Sequence, residues 1–72
     1  MTPVVTVKEL GRIIRSERKR QGLTQTQLAG LCNVGITYLC QLENGKETAE
    51  IGKALTVLRR LGIDLFAEAR VS

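Results

Sequence analysis

The polar side chains that stand out between Gln25 and Asn44 carry amides and hydroxyls: Gln25, then Thr37, Tyr38 and Gln41. Such groups donate and accept hydrogen bonds, which is the chemistry of recognition rather than of bond breaking. Histidine is absent, which removes most zinc sites and the nucleophile–base pairs built on imidazole. Cys32 and Cys40 cannot make a metal cage alone. No catalytic or metal-binding residue is therefore assigned, no cofactor is expected, and an enzyme is not expected. Eleven Lys and Arg against seven Asp and Glu leave a net charge of +4. The imbalance is concentrated in residues 1–20, where Lys8, Arg12, Arg15, Arg18, Lys19 and Arg20 face only Glu9 and Glu17. That points to a polyanion or an acidic partner; the plainer alternative is a basic, solvated surface.

At 72 residues with 43% hydrophobic content, the chain reads as one small globular domain, not a disordered one. A domain of this size buries only about 60% of the surface that its unfolded form exposes, so its stability is marginal. The longest apolar runs, Tyr38-Leu39-Cys40 and Leu65-Phe66-Ala67, are far too short to span a membrane. The start, Met1-Thr2-Pro3-Val4-Val5-Thr6, lacks the apolar block of a signal peptide, so a cytoplasmic location is expected.

Four helices must position the polar residues. Thr6-Val7-Lys8-Glu9 has a capping-box pattern, with Val5 and Leu10 spaced for a hydrophobic staple. A first helix follows from Val7, inward at Leu10, Ile13 and Ile14, and stops at Gly22. Gly11 within it implies close packing, since glycine there costs about 1 kcal/mol relative to alanine. Thr24 caps a second helix with Gln27 as its box partner, and Leu28, Ala29 and Leu31 form its buried side. A third helix spans about 36–44 with Leu39 and Leu42 inward, closed by Asn44-Gly45. A fourth covers about 50–61, with Ile51, Leu55, Leu58 and Leu61 as its stripe and Gly62 as its stop.

After Gly62 the period changes to two: Ile63, Leu65, Ala67 and Ala69 share a face, which predicts a short strand. Such a strand has no partner in an otherwise helical chain. Pairing with the same strand of a second copy removes the open edge and enlarges the core, so Ile63, Leu65, Phe66 and Ala67 are dimerisation candidates. The alternative is a frayed tail.

Between Gln25 and Asn44, Ala29 stands where two helices approach closely, Asn33 tolerates a left-handed turn, and Val34 plugs it. Leu39 and Leu42 lock the third helix onto the second, leaving Thr37, Tyr38 and Gln41 outside beside Ile36. Here the block from Thr24-Gln25-Thr26-Gln27-Leu28-Ala29 to Leu42-Glu43-Asn44-Gly45-Lys46 resembles the lambda-repressor-like helix-turn-helix of the Cro/XRE regulators, whose usual form is TQ-x-x-LA, a small-residue turn, then Y-L/I-S-x-L/I-E-x-GK. The likeness covers roughly residues 7–61. Two departures stand out: Asn33 replaces the turn glycine, and Gly35 replaces the Ser or Thr that opens the recognition helix. The expected fold is thus all-α, a lambda-repressor-like bundle with a short C-terminal strand paired across a dimer. Residues 1–6 form an arm, 7–62 the DNA-binding domain, and 63–72 the dimerisation strand and tail.

The resemblance implies double-stranded DNA as the partner, with Ile36, Thr37, Tyr38 and Gln41 facing the bases. Gln41 can pair bidentately with adenine, and Ile36 and the Thr37 methyl can pack on thymine methyls. Tyr38 has a rim or phosphate contact as its alternative, and Ile36 packing against the turn. Gln25, Asn44 and Lys46 match phosphate-contacting positions, and the helix start at Thr24 adds free N–H groups and a favourable dipole. Arg18 and Glu43 match a structural ion pair of the family. Arg12, Arg15, Lys19 and Arg20 form either a solvated face or a wider DNA footprint. Cys32 is expected in the core and Cys40 more exposed.

The stretch Gly45-Lys46-Glu47-Thr48-Ala49-Glu50-Ile51-Gly52, followed by a hydrophobic strand, is similar to small antitoxins of the HipB type. That similarity implies a homodimer on an inverted-repeat operator, repression of its own operon, and a toxin kinase of the HipA type as a further partner. About ten residues follow the fourth helix, so no ligand-sensing domain is expected and the usual antitoxin tail is nearly missing. The competing reading is a protein-interaction module that neutralises a toxin with little DNA binding; so few aromatic residues argue against it.

Overall fold

The computed structural model describes residues 3–70, so Met1 and Thr2 of the arm and Val71 and Ser72 of the tail lie outside the described residues. Four helices follow in order: α1 Val7–Arg20, α2 Gln25–Cys32, α3 Ile36–Glu43 and α4 Ile51–Leu61. α1 packs on α3 and α4, and α2 packs on the same two helices.

Local chemistry sets the boundaries. The Thr6 hydroxyl accepts from Glu9 N at 3.1 Å, while the Glu9 carboxylate accepts from Val5 N at 2.9 Å. The reciprocal bond thus reaches one residue before the cap, and Val5 stays 79% exposed instead of stapling onto Leu10. At α2 the box is complete: Thr24 Oγ1 accepts from Gln27 N, and Gln27 Oε1 accepts from Thr24 N at 2.8 Å. Asn33 closes α2 at φ 55°, the one non-glycine residue with positive φ among those described. Gly35 gives α3 no side-chain cap.

Ile14, Leu28, Leu39, Leu42, Val57 and Leu58 are the largest fully buried side chains; each contributes about 1.5–3 kcal/mol relative to exposure. Gly11 explains how α1 lies so close to α3. A Cβ at Gly11 would collide with the Leu42 carbonyl oxygen and stand 2.6 Å from that of Glu43.

Three expectations are corrected. In α2 the buried side is Leu28, Ala29 and Cys32, while Leu31 is 48% exposed. In α4 the buried set is Ala54, Val57, Leu58 and Leu61, and Ile51 and Leu55 face outward. Ile51 and Leu55 stand roughly 60° and 100° round the helix from Ala54. The apolar arc is therefore wider than the contact, and packing takes the half containing the small Ala54. Finally, residues 63–70 form no strand within one chain. Ile63 packs against the core, but Leu65 and Phe66 are 48% and 71% exposed. A strand exists only through its ladder, and a single chain offers this segment no partner.

Candidate nucleic-acid interface

An open groove of ≈ 700 Å³ runs between the end of α1, the start of α2 and the outer side of α3. Arg15 and Lys19 line it from α1, Thr24, Gln25 and Thr26 from the start of α2, and Ile36, Cys40, Glu43 and Asn44 from α3. At α2 the Thr24 side chain occupies Gln27 N–H, and Leu28 N–H bonds back to the Thr24 carbonyl. The N–H groups of Gln25 and Thr26 remain open at the positive end of the helix dipole, a setting that suits an anion.

Beneath the groove lies a buried network. Arg18 Nε donates to Glu43 Oε2 at 2.7 Å and Nη2 to Oε1 at 3.0 Å, while Nη1 donates to the Leu23 carbonyl at 2.9 Å. Bonding to Glu43 raises the Arg18 pKa still further, and burial opposes that rise. Among the described residues no buried side-chain N or O lacks a hydrogen-bond partner, so the buried charge is compensated. With Glu43 neutralised by Arg18, the free charges of the groove are the cations Arg15 and Lys19.

The structure sorts the assigned residues. Ile36, Thr37 and Gln41 are exposed on α3. Tyr38 is half-buried, its hydroxyl donating to the Glu50 carbonyl at 2.6 Å. Lys53 Nζ stands 5.5 Å from the Tyr38 ring centroid. Burial and nearby Glu50 push the Tyr38 hydroxyl pKa up. Gln25 is engaged as well: its Nε2 donates to Glu43 Oε1 at 3.1 Å, leaving one amide hydrogen free. Lys46 Nζ donates to Gln41 Oε1 at 3.2 Å. Asn44 is exposed, with Nδ2 3.7 Å from Cys40 Sγ.

Sequence reasoning missed Cys40. At 100° per residue, Ile36, Cys40, Asn44, Thr37 and Gln41 sweep one continuous outer arc, and Tyr38 falls beyond its edge. Plain helical projection from Leu39 and Leu42 would have found this. No helix among the described residues is long and apolar enough to cross a membrane.

Known proteins agree with this geometry. Residues 14–66 match the helix-turn-helix family HTH_3. An uncharacterized HTH-type transcriptional regulator of Sinorhizobium fredii, y4mF, is 46% identical over 66 residues, covering 89% of this chain and 87% of that protein. The ImmF control region 10 kDa protein of Bacillus phage phi105 is 41% identical over 39 residues, or 54% of this chain and 43% of the other. Among solved structures, HipB in the HipA-HipB-O2-O3 complex superimposes with a TM-score of 0.86 at 16% identity, over 96% of this chain and 97% of that one. HipB in its O4 20mer complex gives 0.84 at 17% identity, over 97% and 100%. At such identities the solved structures establish a shared fold, while the match over residues 14–66 and the Sinorhizobium relative establish kinship: the chain belongs to the helix-turn-helix transcriptional regulators of the Cro/XRE type.

Proposed function

We propose that the chain is a sequence-specific repressor that binds an inverted-repeat operator as a homodimer and represses its own toxin–antitoxin operon. One observation carries the reading: the open N–H groups of α2, the cations of α1 and the outer arc of α3 line a single groove. A helix with that arc fits the major groove of B-DNA, and a helix N-terminus beside it grips the flanking phosphate. Gln41, Thr37 and Ile36 read base edges and methyl groups. Gln25, Asn44, Lys46 and the α2 start at Thr24 hold phosphates, and Arg15 and Lys19 extend that footprint. Tyr38, with its hydroxyl committed to Glu50, supports the reading helix from behind. In a dimer the two reading helices stand about 34 Å apart, one turn of DNA.

The toxin half of the proposal is supported by fold likeness to HipB, one solved form of which is a complex with HipA. A kinase of the HipA type is therefore the proposed protein partner, and the cytoplasm is the proposed location.

Fluorescence anisotropy with DNA from upstream of the gene, against scrambled DNA across a salt series, tests the reading. Two chains per site with a clear preference for the upstream DNA are expected. Affinity should fall with salt by a logarithmic slope of about 0.9 per phosphate contact. Equal, weak binding to both DNAs overturns it in favour of a toxin-binding module, checked by co-purification with the neighbouring gene's product.

A further inference from the structure

The opposite side of α1 carries a second depression, of ≈ 380 Å³, lined by Arg12, Ile13, Ser16, Glu17, Arg20 and Ile63. It shares no residue with the DNA-facing groove. Half-buried Ile13 and Ile63 supply its apolar surface. On its rim Arg20 is held by Glu17 at 2.7 Å, whereas Arg12 makes no ion pair among the described residues. Just beyond Ile63 the chain leaves this surface with Leu65 and Phe66 exposed, between the acidic Asp64 and Glu68.

We infer that this depression seats Leu65 from a second copy of the chain, in the homodimer proposed above, on which the inference rests. Alternation puts Ile63, Leu65 and Ala67 on one side of an extended segment. Ile63 already packs inward, so an antiparallel segment laid beside it turns the second copy's Leu65 and Ala67 onto Ile13. The chain's own Leu65 lies roughly 6.6 Å further along the extended backbone and projects into solvent instead. Charge agrees with shape, because Asp64 and Glu68 of the incoming segment meet the unpaired Arg12. Two-fold symmetry repeats the contact, covering both apolar surfaces in each copy. Dimer contact and DNA contact then occupy opposite sides of one helix.

Sedimentation equilibrium of the full chain without DNA is the test, with circular dichroism to verify that each variant is folded. Leu65→Asp is expected to raise the dimer Kd at least about 30-fold, as loss of a central anchor does. Arg12→Glu, at an exposed position, is expected to raise it by roughly fivefold. Adding Asp64→Lys and Glu68→Lys to Arg12→Glu should restore dimerisation. A wild-type dimer whose Kd is unmoved by Leu65→Asp and Arg12→Glu overturns the seat while leaving the dimeric repressor intact. A chain that stays monomeric at its highest soluble concentration overturns both.

Discussion

Both arms of the Arg18 guanidinium close on the Glu43 carboxylate, at 2.7 and 3.0 Å, and the same Glu43 oxygen takes a third bond from Gln25 at 3.1 Å. Three helices thus meet at one carboxylate. Arg18→Ala leaves that charge buried without its partner, and we expect a loss of about 3–5 kcal/mol in urea unfolding. The paired replacement Arg18→Met with Glu43→Leu should recover much of it, since apolar groups of similar volume remove the desolvation penalty. A double variant no better than the single one would sink this account.

Gly11 and Gly30 make a matched pair. A Cβ at Gly11 runs into the carbonyls at the end of α3, whereas at Gly30 nothing lies within 4 Å. Gly11→Ala should destabilise by about 1–3 kcal/mol through overpacking. Gly30→Ala should stabilise by about 0.5–1 kcal/mol. Thermal unfolding of the two variants should shift Tm in opposite directions.

Asn33 holds φ at 55°, where asparagine and glycine are favoured and branched side chains are not. Asn33→Gly should therefore leave stability within a few tenths of a kcal/mol, while Asn33→Val should cost at least about 1–2 kcal/mol. Urea midpoints compare the two directly.

Much of this was visible in the chain before any coordinates, and the reasons are local. Thr24 with Gln27, and Asn33 in a turn, advertise themselves because capping and left-handed backbone depend on neighbours in sequence. The Arg18–Glu43 pair came through family likeness, since nothing in a separation of 25 residues announces a contact. What stayed hidden depends on how helices rotate against one another. An apolar arc containing Ile51, Ala54, Leu55, Val57 and Leu58 does not say which half is buried, and only the packed α4 chooses Ala54. Tyr38 was misplaced for the same reason: its position on α3 borders both surfaces, and the Glu50 carbonyl on a distant loop decides between them.

Tyr38→Phe separates packing from reading. Loss of the hydroxyl bond to Glu50 should cost about 0.5–1.5 kcal/mol in stability while leaving the preference for operator over scrambled DNA unchanged. A shift in base preference would return Tyr38 to the reading face. The raised Tyr38 pKa also fixes a sign: a proton held more tightly when folded adds stability that is complete below the ordinary tyrosine value and is lost as pH climbs through the folded one.

Gln41 and Lys46 touch one another yet should fail differently. Gln41→Ala should relax preference at one base pair by about 1–3 kcal/mol. Lys46→Ala should weaken all DNA alike and lower the salt slope by about one. Equal losses on operator and random DNA for Gln41→Ala would reject it as a reader.

The bare start of α3, where Gly35 contributes no cap, has a consequence for timing. Eight residues without a capping side chain cannot hold a helix in water by themselves, so α3 persists only while Leu39 and Leu42 stay docked. Its amides should then exchange with solvent through the same opening event as the innermost core, not by separate fraying. The surface that meets DNA would come and go with the whole domain: the protein has no state that is folded yet blind.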